Sequence, residues 1–157
     1  MHRDDFRHCL TLPVRWGDMD ALGHVNNVQY FRYLESGRVA YLHTLLPAEL
    51  PPHQLMVLAD IRCQFLQQIT YPTTLEVATR IERISRRSLH CQAAIYPQGQ
   101  SQPAATSVGV MVWFDFQAQR SATLPEALRT AIINYERIPP HIVVCPDYRT
   151  HEERSPP

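Results

Sequence analysis

The sequence predicts an α+β domain in which one antiparallel sheet wraps around a single long helix. Three observations predict it: a period-2 segment near the N-terminus, a switch to helical spacing from Asn27 to about Leu46, and a return to period 2 in segments separated by turn residues. In the first segment Leu10, Leu12, Val14 and Trp16 alternate with polar Thr11 and Arg15, the mark of a half-buried strand, and Pro13 confines that strand to an edge or a bulge. In the helix Phe31, Leu34, Tyr41 and Leu45 recur opposite Gln29, Arg32, Ser36 and His43. At ~1.5 Å per residue that helix is roughly 30 Å long. Pro47, Pro51 and Pro52 end it.

Four further strands are expected. The first lies around Met56 to Gln68; the next alternates Leu75, Val77 and Ile81 with Glu76, Arg80 and Glu82; the third alternates Leu89, Cys91, Ala93 and Ile95 with Ser88, His90 and Gln92. In the fourth, Val108, Val110, Val112, Phe114 and Phe116 share one face. Ser85 to Arg87 and Pro97 to Gln100 read as turns, so successive strands are expected to pair as a meander. A short helix from about Pro125 to Tyr135 follows Thr123 as N-cap region. The sheet face carrying Met111 and Trp113 is expected to point away from the long helix and to pack on a second subunit, as a homodimer or a tetramer of dimers. The domain is drawn at residues 1–138, with 139–157 as an irregular, proline- and charge-rich extension.

With 157 residues, the chain can bury roughly 68–70% of its unfolded surface in a single core. Formal net charge is zero and all 15 basic residues are arginine, so no global field favours nucleic acid or an anionic membrane. Cys9, Cys63, Cys91 and Cys145 form no CxxC pair, which argues against a zinc knuckle or a disulfide framework and for a reducing cytoplasm. No apolar run approaches the roughly 18 residues that span a bilayer, and Met1 to His8 lack the apolar core of a signal peptide.

The densest chemistry is at the helix entrance. Gly17-Asp-Met-Asp-Ala-Leu-Gly-His-Val-Asn-Asn-Val-Gln-Tyr-Phe31 holds two carboxylates, a histidine and paired asparagines. Asn26 and Gln29 have the spacing of a capping box, which accounts for part of it. A helix start also exposes free N–H groups and the positive dipole end, a site for an oxyanion, and Asp20 and His24 lie just before it. Asp18 and Asp20 also match the spacing of aspartyl-phosphate phosphatases, but that chemistry wants a larger parallel sheet and a nearby basic residue. Asp18, Asp20 and His24 make a weak metal set without a second cluster, and no metal or organic cofactor is expected. His53, His90 and His141 stand alone.

Arg15-Trp-Gly-Asp-Met-Asp20, Gly23-His-Val-Asn-Asn27, then Tyr30, Tyr33, Glu35 and Arg38, resemble the entrance motif of hotdog-fold acyl-CoA thioesterases of the 4-hydroxybenzoyl-CoA thioesterase type. The order of elements agrees from about Leu10 to Tyr135. The resemblance implies hydrolysis of an acyl-CoA to a carboxylic acid and free CoA, in a site formed between two subunits. It places the catalytic carboxylate on Asp20 and the oxyanion donors on the backbone N–H groups of Asn27 and Val28, and leaves Asp18 to tie down the loop. Plant acyl-carrier-protein thioesterases resemble the same stretch; His24 matches their histidine, whereas Leu22 stands where they carry asparagine. The role of His24 is therefore open between catalysis, water positioning and bracing of the loop. Arg83, Arg86 and Arg87 are candidates for the phosphates of CoA, and Glu35 and Arg38 are expected to pair along the helix. Two rival functions remain open: a hotdog hydratase or dehydratase, and an acyl-thioester-binding protein without turnover.

Overall fold

In the computed structural model, residues 1–143 are described. Strand β1 (His8–Pro13) leads through a 3-10 turn at Trp16–Asp18 to helix α1 (Asn27–Leu45). Then come β2 (Gln54–Phe65), β3 (Thr74–Ile84), β4 (Ser88–Pro97), β5 (Ala105–Asp115), the short β6 (Arg120–Ser121), α2 (Glu126–Tyr135) and the short β7 (His141–Ile142). The expected sheet and central helix are present, with bounds shifted by a few residues.

The strand order is β1-β3-β4-β5-β2, antiparallel throughout; β6 pairs with β5, and β7 runs parallel beside β3. The expected meander therefore holds only for β3, β4 and β5. Instead of joining β3, β2 crosses to the far side of β5, where Met56 lies opposite Trp113 and Phe65 opposite Ala105. That leaves β2 as one edge and β1 as part of the other, where Pro13 is tolerated because it ends an edge strand. Trp16 does not extend the inward face of β1: the chain turns after Pro13 and leaves this side chain 74% exposed.

Helix α1 buries Tyr30, Tyr33, Leu34, Gly37, Arg38, Tyr41 and Leu45, a continuous stripe at helical spacing. A Cβ on Gly37 would lie 2.6 Å from Val77 Cγ1 and 3.0 Å from Thr79 Oγ1, so the helix backbone almost touches β3. One core cluster joins Tyr30, Tyr33 and Leu34 to Val14, Leu75, Val77 and Ile95; a second joins Tyr41 and Leu45 to Ile81, Leu89, Met111, Trp113, Leu128 and Ile132. Met111 and Trp113 thus face α1 and α2, not a second subunit as expected. It is the other face of β5 that looks outward, carrying Val108, Val110, Val112 and Phe114. On β3 and β4 the outer face is partly covered by the N-terminal segment, where Phe6 packs on Ala78, Ala94 and Tyr96.

Three local expectations change as well. Glu35 pairs with Arg32 at 3.0 Å, while Arg38 is buried. The N-cap of α2 is Pro125 rather than Thr123, and no side chain caps it. Within the expected irregular extension, His141 and Ile142 pair with Arg83 and Ile84; residues 144–157, including Cys145, lie outside the described residues.

Candidate active site

The segment between β1 and α1 is tied at both ends. Val14 N–H donates to Thr73 O at 2.8 Å and Val25 N–H to Ile69 O at 2.8 Å, so the loop sits against the chain entering β3. Inside it Asp18 is only 7% exposed. Its Oδ2 accepts from Arg15 N–H at 2.8 Å and from the Tyr33 hydroxyl at 2.7 Å, and its carbonyl accepts from Asn26 N–H at 2.9 Å. Burial, followed by the bond to this carboxylate, pushes the Tyr33 phenol well above its usual range.

Asp20 closes a second, smaller turn. Its N–H donates to His24 O at 2.9 Å, its carbonyl accepts from Gly23 N–H at 3.0 Å, and its Oδ1 accepts from Leu22 N–H at 2.9 Å. Gly23 has φ +77°, the left-handed region that a glycine enters without strain. The two aspartates therefore separate: Asp18 is buried beneath the loop, and Asp20 lines an open cleft of about 340 Å³ together with His24, Val25, Asn27, Tyr30, Phe65, Leu66, Gln67 and Gln68. Among the described residues, no group of three or more His, Cys, Asp and Glu side chains is gathered for a metal ion.

At the helix start Asn26 acts as N-cap, but its Oδ1 accepts from Val28 N–H at 3.0 Å, at the second helical position. The expected capping box with Gln29 is replaced by a backbone bond from Gln29 N–H to Asn26 O. The N–H of Val28, the second of the expected oxyanion donors, is thus engaged by the cap. Asn27 lines the cleft, at the first helical position, where an N–H has no partner within the helix.

Arg83, Arg86 and Arg87 do not join this cleft within one chain. They cluster around the β3–β4 turn, while the Asp20 loop is held at the Thr74 end of β3, roughly 30 Å away at ~3.3 Å per strand residue. Arg83 Nη2 lies 2.9 Å from His90 Nδ1, and Arg87 Nη1 donates to Ser121 Oγ at 3.2 Å. The sequence reading missed Gln67 and Gln68, which reach the cleft from beyond the end of β2. Tyr30 draws that segment in by donating to Gln67 O at 3.2 Å, and Leu66 and Gln67 N–H both donate to Ala104 O. Contacts distant in sequence, β2 with β5 and Tyr30 with Gln67, bring these glutamines to the cleft, so local sequence carried no signal for them.

Residues 14–132 match the family model of the thioesterase-like superfamily, which spans the loop, the helix and the sheet just described. The chain belongs to this superfamily. Among solved structures, a thioesterase from Thermus thermophilus complexed with coenzyme A and zinc is 31% identical, with a TM-score of 0.76 over 87% of this chain and 98% of that one. The PA2801 protein of Pseudomonas aeruginosa is also 31% identical, with a TM-score of 0.74 over 81% and 98% of the two chains. A chloroplastic acyl-acyl carrier protein thioesterase of Arabidopsis thaliana, ATL3, is 23% identical over 133 residues, 83% of this chain and 70% of that protein. The resemblance read from the entrance motif thus holds at the level of family and hotdog fold, and this superfamily member is a thioester hydrolase.

Proposed function

We propose that the chain hydrolyses an acyl-CoA to a carboxylic acid and free CoA, with Asp20 as the catalytic carboxylate and the first turn of α1 as the oxyanion site. The observation that carries this reading is that Asp20 and Asn27 line one cleft at a helix N-terminus. The helix dipole and the N–H of its first residue stabilise the charge that grows on a thioester carbonyl oxygen as it becomes tetrahedral. A thiolate with a parent pKa near ~8.5 leaves without a strong general acid, so one carboxylate and an oxyanion site suffice. Two routes use that carboxylate: Asp20 attacks the carbonyl and the mixed anhydride is then hydrolysed, or Asp20 takes a proton from the attacking water. Label found in the Asp20 carboxylate after a single turnover in 18O-water identifies the anhydride route with water attacking the Asp20 carbonyl, whereas direct attack of water on the thioester places the label in the acid product.

A second copy of the chain completes the cleft. At about 340 Å³ it lies near the lower end of ligand-pocket volumes, sized for an acyl group rather than a whole CoA thioester. Around it Leu22, Val28, Phe65 and Leu66 are exposed apolar side chains, and among the described residues β2 beside it is an edge strand twelve residues long. Pairing with a partner at this edge covers both, and is the way for arginines distant within one chain to approach bound CoA.

Release of free thiol from a panel of acetyl-, hexanoyl-, decanoyl-, palmitoyl- and benzoyl-CoA, followed with a thiol reagent, tests the activity. Turnover of at least one member is expected, with loss in both Asp20→Ala and Asp20→Asn. No hydrolysis of any member would favour a binding protein, and an Asp20→Ala variant as fast as wild type would remove the mechanism.

A further inference from the structure

We propose that Tyr33 is a positioning residue of this site: through Asp18 it sets the Asp20 loop against the first turn of α1. Asp18 makes three bonds that join parts of the chain with different roles. Its Oδ2 holds Arg15 N–H, where the loop leaves β1; its carbonyl holds Asn26 N–H, where the loop enters α1; and the same Oδ2 accepts the Tyr33 hydroxyl, from the second turn of that helix. Arg15 and Asn26 flank the loop, at its exit from β1 and at the cap of α1. Tyr33 is the one bond of the three that anchors it to the body of the helix, and it is 5% exposed, packed among Val14, Leu34, Leu75 and Val77.

Asp20 lies two residues beyond this anchor, separated from it only by Met19, which is itself bridged to Val25. Asn27 is six residues, about 1.7 turns, before Tyr33 on the same helix. The Tyr33–Asp18 bond therefore ties attacking carboxylate and oxyanion donor into one frame. Tyr33 does not touch the substrate cleft: it and Asp18 line a separate hollow of about 290 Å³ with Arg15, Gln29 and Arg32. Its effect on turnover must then pass through the loop.

The inference rests on the assignment of Asp20 above, so Asp20→Ala runs beside it as a reference. Tyr33→Phe deletes one oxygen and leaves the ring packed. The matched control is Tyr41→Phe, which removes the other buried hydroxyl-to-carboxylate bond of α1, the 2.6 Å bond to Glu136, two turns further along. Steady-state kinetics are measured on the best-hydrolysed member of the acyl-CoA panel, well below each variant's melting transition. In Tyr33→Phe, kcat is expected to fall roughly 10- to 100-fold, the scale of an ångström-sized misplacement of a reacting group, with KM changed by less than about threefold. Tyr41→Phe is expected to melt earlier with kcat unchanged. Asp18→Ala combined with Tyr33→Phe should be little worse than Asp18→Ala alone, because both break one connection. A Tyr33→Phe enzyme that melts earlier yet keeps the wild-type kcat, while Asp20→Ala is inactive, overturns the positioning role and leaves the Asp20 assignment standing. If Asp20→Ala is itself fully active, both fall.

Discussion

The far end of α1 is held by a carboxylate whose removal has a calculable effect. Between β1, whose last partner on β3 is Thr79, and β7, whose first is Arg83, the edge of β3 leaves the Ile81 N–H without a strand partner among the described residues. Glu136, just past α2, fills that gap: its Oε1 accepts from Ile81 N–H and from the Tyr41 hydroxyl, both at 2.6 Å. Glu136→Ala strands two buried donors at ~1–3 kcal/mol each. Relief of the buried charge offsets part of this, so a net loss of about 2–4 kcal/mol is expected. At ~2–4 °C per kcal/mol for a chain of this size, the melting temperature falls by roughly 5–15 °C. Glu136→Gln keeps the accepting oxygen and is expected within about 1 kcal/mol of wild type at pH 7. The pH dependence separates the two variants further. Burial, the largest influence on Glu136, raises its carboxyl pKa, so the folded state holds this proton more tightly than the unfolded chain. Its contribution to stability is therefore fully present below the unfolded pKa and is lost as pH rises through the folded one. Wild type should gain on Glu136→Gln as pH is lowered from neutral into the carboxylate range, with His8, Tyr41, Arg80 and Tyr135 common to both proteins. Urea and thermal unfolding followed by circular dichroism measure all of this. If Glu136→Gln loses as much as Glu136→Ala, the charge rather than the acceptor geometry holds the edge, and the reasoning fails.

Other consequences are as direct. Gly37→Ala gains about 1 kcal/mol of helix propensity but places a methyl 2.6 Å from Val77 Cγ1, an overpacking cost of ~1–3 kcal/mol; a net loss near ~1 kcal/mol in urea unfolding is expected, and a stabilised variant would show that α1 can retreat from β3 freely. Asn26→Ala removes the cap on Val28 N–H and should cost about 1 kcal/mol in the same assay. For His24→Ala, the bracing bond from Asp20 N–H to the backbone carbonyl survives. Stability should therefore stay within ~0.5 kcal/mol of wild type, as for substitutions that disturb no core or network. A lowered kcat at that unchanged stability would assign the imidazole to the chemistry in the cleft, and a lowered melting temperature would assign it to the loop.

Most of the architecture was legible because each element has its own period, and those periods survive whatever the strand order becomes. Strand order and sheet face were not. The face of β5 was misread because both parities are apolar: Met111 and Trp113 meet the helices, while Val108, Val110, Val112 and Phe114 form an apolar outer surface. Alternation shows that two faces exist; only the position of α1 and α2 shows which is inside. The pairing of β2 with β5 was hidden for a related reason, since an antiparallel edge can be added on either side of a hairpin and the proline loop after α1 is long enough to reach both.

The site divides along the same line. Asp18, Asp20, Gly23 and Asn26 could be grouped from sequence because their bonds close within about eight residues, and such short cycles leave their marks in local residue choice. Val28 shows the limit even there: a cap that bonds the second helical position rather than the third engages the Val28 N–H, and Asn fits both geometries. Gln67 and Tyr33 become part of the site only through long-range bonds, Tyr30 to Gln67 across 37 residues and Tyr33 to Asp18 across 15. The Tyr33 hydroxyl is the instructive case. In the sequence it is one more aromatic in the buried stripe of a helix; Tyr41 bonds Glu136 and Tyr30 the Gln67 carbonyl, and it is the 2.7 Å bond to Asp18, a carboxylate of the loop itself, that makes the Tyr33 phenol a tether for the segment that carries Asp20.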